Sequence, residues 1–321
     1  MILLISQGGF EYTTDLVFDW IKHLGGNVIR LNGTDLLNED SIKIEMSNNG
    51  IDIRIKGVPL DEINTIWYRR WLNADYTPFD NNPETNKYLR TEFRGLSEFV
   101  FYALKDKKWY NRNNYIKPFP TKVEQLDVAV KNDIEIPDTL ICSTKKEVLK
   151  FYKNNNNRII SKNIYEIGLF KEEKKLKTTF THLIDDKNIN EIEDVFFPSL
   201  FQKDIYKKFE IRTFYNKGIC NSMAIFSNKN NKTKSDFRNY DMETPNRNVP
   251  IQLPEIEEKK ITKLMNQLDL ETGSLDYIYT DKDKFIFLEV NPLGQFGMVS
   301  EPCNYYLERT IAKELIELDV K

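Results

Sequence analysis

Asp276, Glu289 and Asn291 are the residues whose types and spacing best suit chemistry in this chain. They lie in SLDYIYTDKDKFIFLEVNP, residues 274–292. Runs rich in β-branched and aromatic residues at 275–279 and 285–290 flank a polar segment, the pattern of a β-hairpin. A turn centred between Lys282 and Asp283 sets Asp276 directly opposite Glu289 and puts Asn291 two residues further along the same face. Leu275, Tyr277 and Tyr279 against Ile286, Leu288 and Val290 then form the core-facing side. A slip of one residue would bury the acids, so the pattern specifies its own register.

Two opposed carboxylates repel unless something neutralises them, and a hard divalent cation with oxygen ligands does so. Magnesium fits. It takes one or two carboxylates from a protein and fills its octahedron with water and substrate phosphates, which points to a nucleotide. Asp276 alone reads equally well as a solvated surface acid. With Glu289, Asn291 and Pro292 behind an apolar strand the cation site is the better reading, because Asn291 adds a neutral ligand where the strand must stop.

The rest of the chain must position these groups. It has 321 residues, 40% hydrophobic and 30% charged, enough for two domains or three small ones. Its 46 basic and 49 acidic residues argue against a nucleic-acid partner, which would call for a basic excess. Cys142, Cys220 and Cys303 show no paired spacing, so neither a disulfide framework nor a thiolate zinc site is indicated, and a reducing cytosol fits. With only His23 and His182, histidine triads and multi-histidine metal sites are disfavoured, leaving carboxylates and lysines. The first apolar run, 1–5, reads as a strand and not a signal peptide, and no stretch approaches a membrane span.

Residues 1–31 read as a βαβ unit whose Gln7-Gly8-Gly9 turn lacks the third glycine of a dinucleotide fingerprint. The segments 42–46 and 51–55 form a hairpin on the edge of that sheet, and 63–71 a further strand ending in Arg69 and Arg70, which read as surface residues more readily than as a polyanion site. A helix over 85–104 buries Tyr88, Leu89, Phe93, Leu96, Phe99, Val100 and Leu104. Thr121 and Glu124 make a capping box for the next helix. Further on, 139–142 and 158–164 read as strands around a helix over 145–152, and 167–170 with 176–180 as a second hairpin. Strands over 199–206 and 209–215 surround a Lys207-Lys208 turn, with 219–226 the next antiparallel strand. The long polar stretch 227–250 reads as a functional loop, and helices follow over 255–268 and 304–318.

Lys122 opens a helix leading to Ile136-Pro137-Asp138-Thr139, and Lys162 lies within a strand. Phe201-Gln202-Lys203-Asp204-Ile205 precedes Glu210-Ile211-Arg212, and Asp276 precedes Leu288-Glu289-Val290-Asn291-Pro292. Together these resemble the ATP-grasp superfamily along essentially the whole chain. KVEQLDVA, FQKDI followed by FEIR, SDFR and LEVNPLGQFGMVSEPCNYYLE more narrowly resemble the graspetide synthetases, especially peptide maturases of the grasp-with-spasm type.

The resemblance implies an α/β (α+β) ATP-grasp fold: an N-terminal α/β domain over 1–118, a central subdomain over 119–200 and a C-terminal grasp subdomain over 201–321, with ATP between two antiparallel sheets. It implies Lys122 and Lys162 on the phosphates, and Gln202, Lys203, Asp204 and Ile205 as the hinge that reads adenine and holds the ribose. Arg212 would face the γ-phosphate or acyl phosphate, and Asp276, Glu289 and Asn291 would hold one or two magnesium ions. The partner implied is a ribosomally made precursor peptide whose leader docks near 167–180, without nucleic acid or membrane; a homodimer is compatible with it. Taken singly, Lys162 reads equally as a solvent-facing lysine and Arg212 as the cross-strand partner of an acid such as Glu210. The chain departs from many ATP-grasp enzymes in offering only Gly168 between 163 and 180, where they carry a glycine-rich loop.

The activity expected is an ATP-dependent ligase that activates Asp or Glu side chains of the peptide as acyl phosphates and joins them to Ser, Thr or Lys as ω-esters or ω-amides. Arg238, with Asp236 beside it, would orient the peptide carboxylate or take the nucleophile's proton, a solvated loop pair being the plain alternative. A RimK-like or glutathione-synthase-like ligase uses the same ATP motifs. A nucleotide-binding module without turnover would be expected to have lost a metal ligand or a phosphate lysine.

Overall fold

The computed structural model describes residues 1–8, 11–37, 41–71, 79–165, 169–172, 175–178, 181–227 and 243–320, with the backbone alone for 169–172 and 175–178. It contains two compact units, one of residues 1–119, 270–272 and 293–321, the other of 120–269 and 273–292.

In the first unit, β1 (Ile2–Ser6), α1 (Tyr12–His23) and β2 (Val28–Asn32) form the expected parallel βαβ unit. The pair β3 (Ile42–Ser47) and β4 (Gly50–Ile55) turns at Asn48-Asn49 and joins β5 (Val58–Pro59) in a separate three-stranded sheet, not on the edge of the first. Its attachment is by side chains: Ile55 is fully buried with Leu31 and Ile63 in the domain core. β6 (Thr65–Tyr68), α2 (Pro83–Ala103) and β7 (Lys108–Tyr110) complete the parallel sheet, in the order β2-β1-β6-β7. Asn82 caps α2 by accepting from the Glu84 and Thr85 amides, with Pro83 in the first turn. Tyr88, expected on the buried stripe, is exposed, because burial on α2 begins at Phe93.

Arg69 corrects the surface reading. It is buried, its guanidinium 5.2 Å from the Trp67 ring and 5.4 Å from the Phe296 ring, and its Nη2 donates to the Gly294 carbonyl at 3.3 Å. Burial lowers its pKa to about 10, so it remains a cation at neutral pH, and the ring faces offset part of its lost hydration. Arg70 has its Nε 2.5 Å from the carboxylate of buried Glu11.

The second unit opens with α3 (Lys122–Lys131), started by the Thr121 and Glu124 capping box. β8 (Thr139–Thr144), α4 (Lys145–Asn154) and β9 (Ile159–Lys162) follow. The next strands are β10 (Leu169–Glu172), β11 (Lys175–Thr178), β12 (His182–Ile184) and β13 (Val195–Lys203). β10 and β11 pair as the second hairpin, while the others make an antiparallel sheet in the order β12-β9-β13-β8. Val148 and Tyr152 of α4 pack with Ile159 and Phe201 on one face of that sheet.

Residues 204–206 lead into the second sheet of this unit. It comprises β14 (Lys207–Asn216), β15 (Ile219–Phe226), β16 (Arg247–Ile251), β17 (Thr272–Thr280) and β18 (Phe285–Asn291), in the order β16-β15-β14-β17-β18, with α5 (Glu255–Gln267) before β17. The Lys207-Lys208 turn is therefore corrected to strand. Lys207 can enter the sheet because its ammonium donates to Glu210 at 2.7 Å in a buried pair. Strand β16 occupies part of the stretch read as loop. The first unit is completed by α6 (Gly297–Cys303), hidden in the sequence by its internal Pro302, and α7 (Leu307–Val320). Burial pushes the Cys220 thiol up to about 12 and raises that of Cys303, so neither offers a thiolate at neutral pH.

Gly273 shows how tightly α5 lies on β17: a Cβ there would sit 2.8 Å from Val290 Cγ2 and 3.2 Å from Met265 Cε. Gly273→Ala is expected to destabilise the protein by about 1–3 kcal/mol through overpacking, read as a lowered denaturant midpoint. An unchanged midpoint would contradict this packing.

Candidate active site

The hairpin places its acids as expected by a route the sequence did not reveal. Thr280 N donates to Lys284 O, and Asp283 takes a left-handed φ of 56°, so the turn is one residue longer than a two-residue loop. Tyr277 through Tyr279 accordingly pair with Phe287 through Phe285. A bulge between Asp276 and Tyr277 then inserts one residue into β18, and beyond it Asp276 pairs with Glu289, Leu275 with Val290 and Ser274 with Asn291. Tyr277 consequently meets Phe287, and Leu288 is not its partner.

Each acid is held by a cation from a different element. Asp276 lies between β14 and β18 in the sheet, and its Oδ2 is 2.5 Å from Nη1 of Arg212 on β14, both side chains about nine-tenths buried. This overturns Glu210 as the arginine's partner, since Glu210 instead accepts from Lys207 and, at 2.6 Å, from Ser227 Oγ. Glu289 Oε2 is 2.9 Å from Lys122 Nζ. The same ammonium donates to the Asn163 carbonyl at 3.2 Å, one residue beyond Lys162. Lys122 thereby ties the end of β9 to β18, bringing the two sheets of this unit together at the paired acids.

On the central sheet, Leu200 pairs with Lys162 and Gln202 with Ile160, while Phe201 packs against α4. Alternation therefore sets Lys162 and Gln202 on the face away from that helix. Gln202 is 1% exposed. Its Nε2 donates to Thr139 Oγ1 at 3.0 Å, and its Oε1 has no hydrogen-bond partner among the described residues. Lys203 donates its backbone N–H to Asp138 O, Asp204 accepts from Arg158 Nε at 2.5 Å, and Ile205 lies half-buried in the connection to β14. Asp236, Arg238 and Gly168 lie outside the described residues, as do the side chains of the expected leader-docking segment.

The donor set suits magnesium. Asp276, Glu289 and Asn291 offer only oxygen, two of them carboxylates, and among the described residues no group of three or more His, Cys, Asp or Glu side chains converges to favour a softer metal. Arg212 Nε and Ser274 Oγ are also buried without a partner among the described residues, and Ser274 stands opposite Asn291. Sequence reasoning missed Ser274 and the Lys207, Glu210, Ser227 cluster. It also missed Gln125, three residues after Lys122 on α3, although that spacing placed both on one helix face.

The chain aligns with macrocyclase MdnC of Microcystis aeruginosa MRC, solved bound with precursor peptide MdnA, at a TM-score of 0.83 and 22% identity over 99% of both chains. It aligns with a RiPP-associated ATP-grasp ligase of Chryseobacterium gregarium, solved with ADP and a leader and core peptide, at 0.84 and 22% over 99% of this chain and 96% of that one. The chain has the ATP-grasp fold. ATP-grasp ligase PsnB, solved with minimal precursor, Mg and ADP, aligns at 0.76 and 14% over 99% and 97%. Residues 1–117 match the family described as the MvdD pre-ATP grasp domain. No curated protein matches the chain. Among the described residues no helix is long and apolar enough to cross a membrane.

The acids and cations neutralise each other, so a metal nucleotide bound at this point would have to enter by exchange. If the acids hold magnesium, Glu289→Gln would free Lys122 for phosphate while weakening the metal set. It is expected to bind magnesium-free ATP at least as tightly as the parent protein but to lose roughly tenfold or more of the gain from magnesium, by calorimetry. An unaltered magnesium gain would contradict the role of Glu289.

Proposed function

We propose that this protein is an ATP-dependent peptide macrocyclase. It would activate Asp or Glu side chains of a ribosomally made precursor peptide as acyl phosphates and join them to Ser, Thr or Lys side chains of the same peptide. The observation that carries this reading is Lys122, whose ammonium reaches both the end of the strand bearing Lys162 and Glu289 of the acid pair.

Lys122 and Lys162 supply point charges for phosphate oxygens. Lys203, Asp204 and Ile205 would meet the base and ribose, and Gln202 Oε1, without a partner among the described residues, would accept an N–H from the base. Asp276, Glu289 and Asn291 would hold magnesium, which supplies charge neutralisation for the phosphoryl group when bound. A peptide carboxylate oxygen bonds to the γ-phosphorus as ADP leaves. Arg212, with its fork of donors, would stabilise the acyl phosphate. A hydroxyl or amine then bonds to the activated carbonyl carbon, phosphate leaves and the nucleophile's proton is released. Asp236 and Arg238 are proposed to orient the peptide carboxylate or take that proton. Support comes from the MdnC and PsnB likenesses, whose solved forms hold precursor peptides.

The test is incubation with ATP, magnesium and the short peptide encoded beside its gene. Loss of one water per ring with matching ADP is expected, and Arg212→Lys should lower ADP formation by about 100-fold or more. A mass gain would replace the reading with that of an amino-acid-adding ligase, and absence of ADP with that of a binding module.

A further inference from the structure

Strand β18 ends the sheet order, so among the described residues one edge of it has no strand partner. Two amides on the strand are nevertheless engaged by the chain around α3. Phe287 N donates to Glu135 O at 2.8 Å, and Val290 N donates to Gln125 Oε1 at 2.8 Å. In a regular strand, amides facing one edge are separated by an even number of residues. Positions 287 and 290 are an odd number apart, and the bulge lies between them. Gln125 therefore engages β18 specifically in its bulged register, the register that sets Glu289 opposite Asp276.

Gln125 is 4% exposed, and its Nε2 donates to Pro120 O at 3.0 Å, which fixes which end of the amide faces Val290. Lys122, one helical turn earlier, takes the side chain of the preceding residue, Glu289. One face of α3 thus holds two consecutive strand residues, the backbone of one and the carboxylate of the other. If β18 ran without its bulge, the Val290 amide would turn toward β17, Gln125 would lose its donor and Glu289 would leave its position opposite Asp276.

We propose that Gln125 is a positioning residue for the metal-binding acids: by accepting from the Val290 amide it locks the β18 bulge that aims Glu289 and Asn291 at one cation. The proposal rests on the magnesium-nucleotide reading above. A merely structural role, satisfying an edge amide, would lower stability without touching the cation.

The experiment compares the parent protein with Gln125→Met, which keeps the volume and loses the acceptor, and with Gln125→Asn, which keeps the amide but shortens its reach. Gly26→Ala, whose added Cβ would meet Ile21 and Ile316 at 2.7 and 2.8 Å, serves as a control destabilised elsewhere. Magnesium is titrated by calorimetry in the presence of a non-hydrolysable ATP analogue, and exchange of the Val290 amide is followed by NMR. Both Gln125 variants are expected to need roughly tenfold or more magnesium for half-maximal uptake, with faster Val290 exchange, while Gly26→Ala keeps the parent midpoint. An unchanged midpoint in whichever Gln125 variant folds, or an equal shift in Gly26→Ala, overturns the proposal. If the parent itself takes up no magnesium nucleotide, the site reading fails first, and that outcome is distinct.

Discussion

Two carboxylates fixed directly opposite each other in a sheet are the constraint on which the rest of this structure turns. Asp276 sits in a strand flanked on both sides and cannot turn away, and Glu289 is set against it by the bulge. Their repulsion has to be cancelled by cations brought from outside the hairpin. Arg212 does so from the neighbouring strand and Lys122 from α3. Removing one partner of such a buried pair strands a charge in a medium that solvates it poorly. Under the proposed function the same pairs would make the site exchangeable, phosphate taking the cations while a metal takes the acids.

Lys122 gives this electrostatic arrangement its architectural reach. A capping box fixes where α3 begins, and its first residue spans from the carbonyl beyond β9 to the acid on β18. The two sheets of the second unit are thereby joined at a charged point, the place where a nucleotide's phosphates would need to lie. Gln202 lies on the same face of the first of these sheets as Lys162, and its buried Oε1 has no partner among the described residues.

The candidate residues were more legible in the sequence than the geometry that arranges them. The acid pair stood out by its spacing in an apolar hairpin, whereas Lys122 and Lys162 stood out through the resemblance to ATP-grasp motifs, Lys162 by itself reading equally as a solvent-facing lysine. The turn and bulge were not legible, since each changes the strand count by one and the two changes cancel at Asp276. The three-stranded sheet of the first unit was misplaced because alternation predicts a hairpin but not what it packs against. Arg69 was read as surface from its type, whereas Trp67 and Phe296, far apart in sequence, enclose it. Lys207 was read as a turn residue because two adjacent lysines suggest solvent, whereas its ammonium pairs with Glu210 three residues along the same strand, and Ser227, just past the end of β15, donates to that same carboxylate.

The most direct test is a crystal structure with magnesium and a non-hydrolysable ATP analogue. A metal is expected at about 2.0–2.1 Å from oxygens of both Asp276 and Glu289, with Lys122 and Arg212 moved onto phosphate oxygens. Carboxylates still paired with those cations, and a metal held elsewhere, would contradict the exchange on which this account rests.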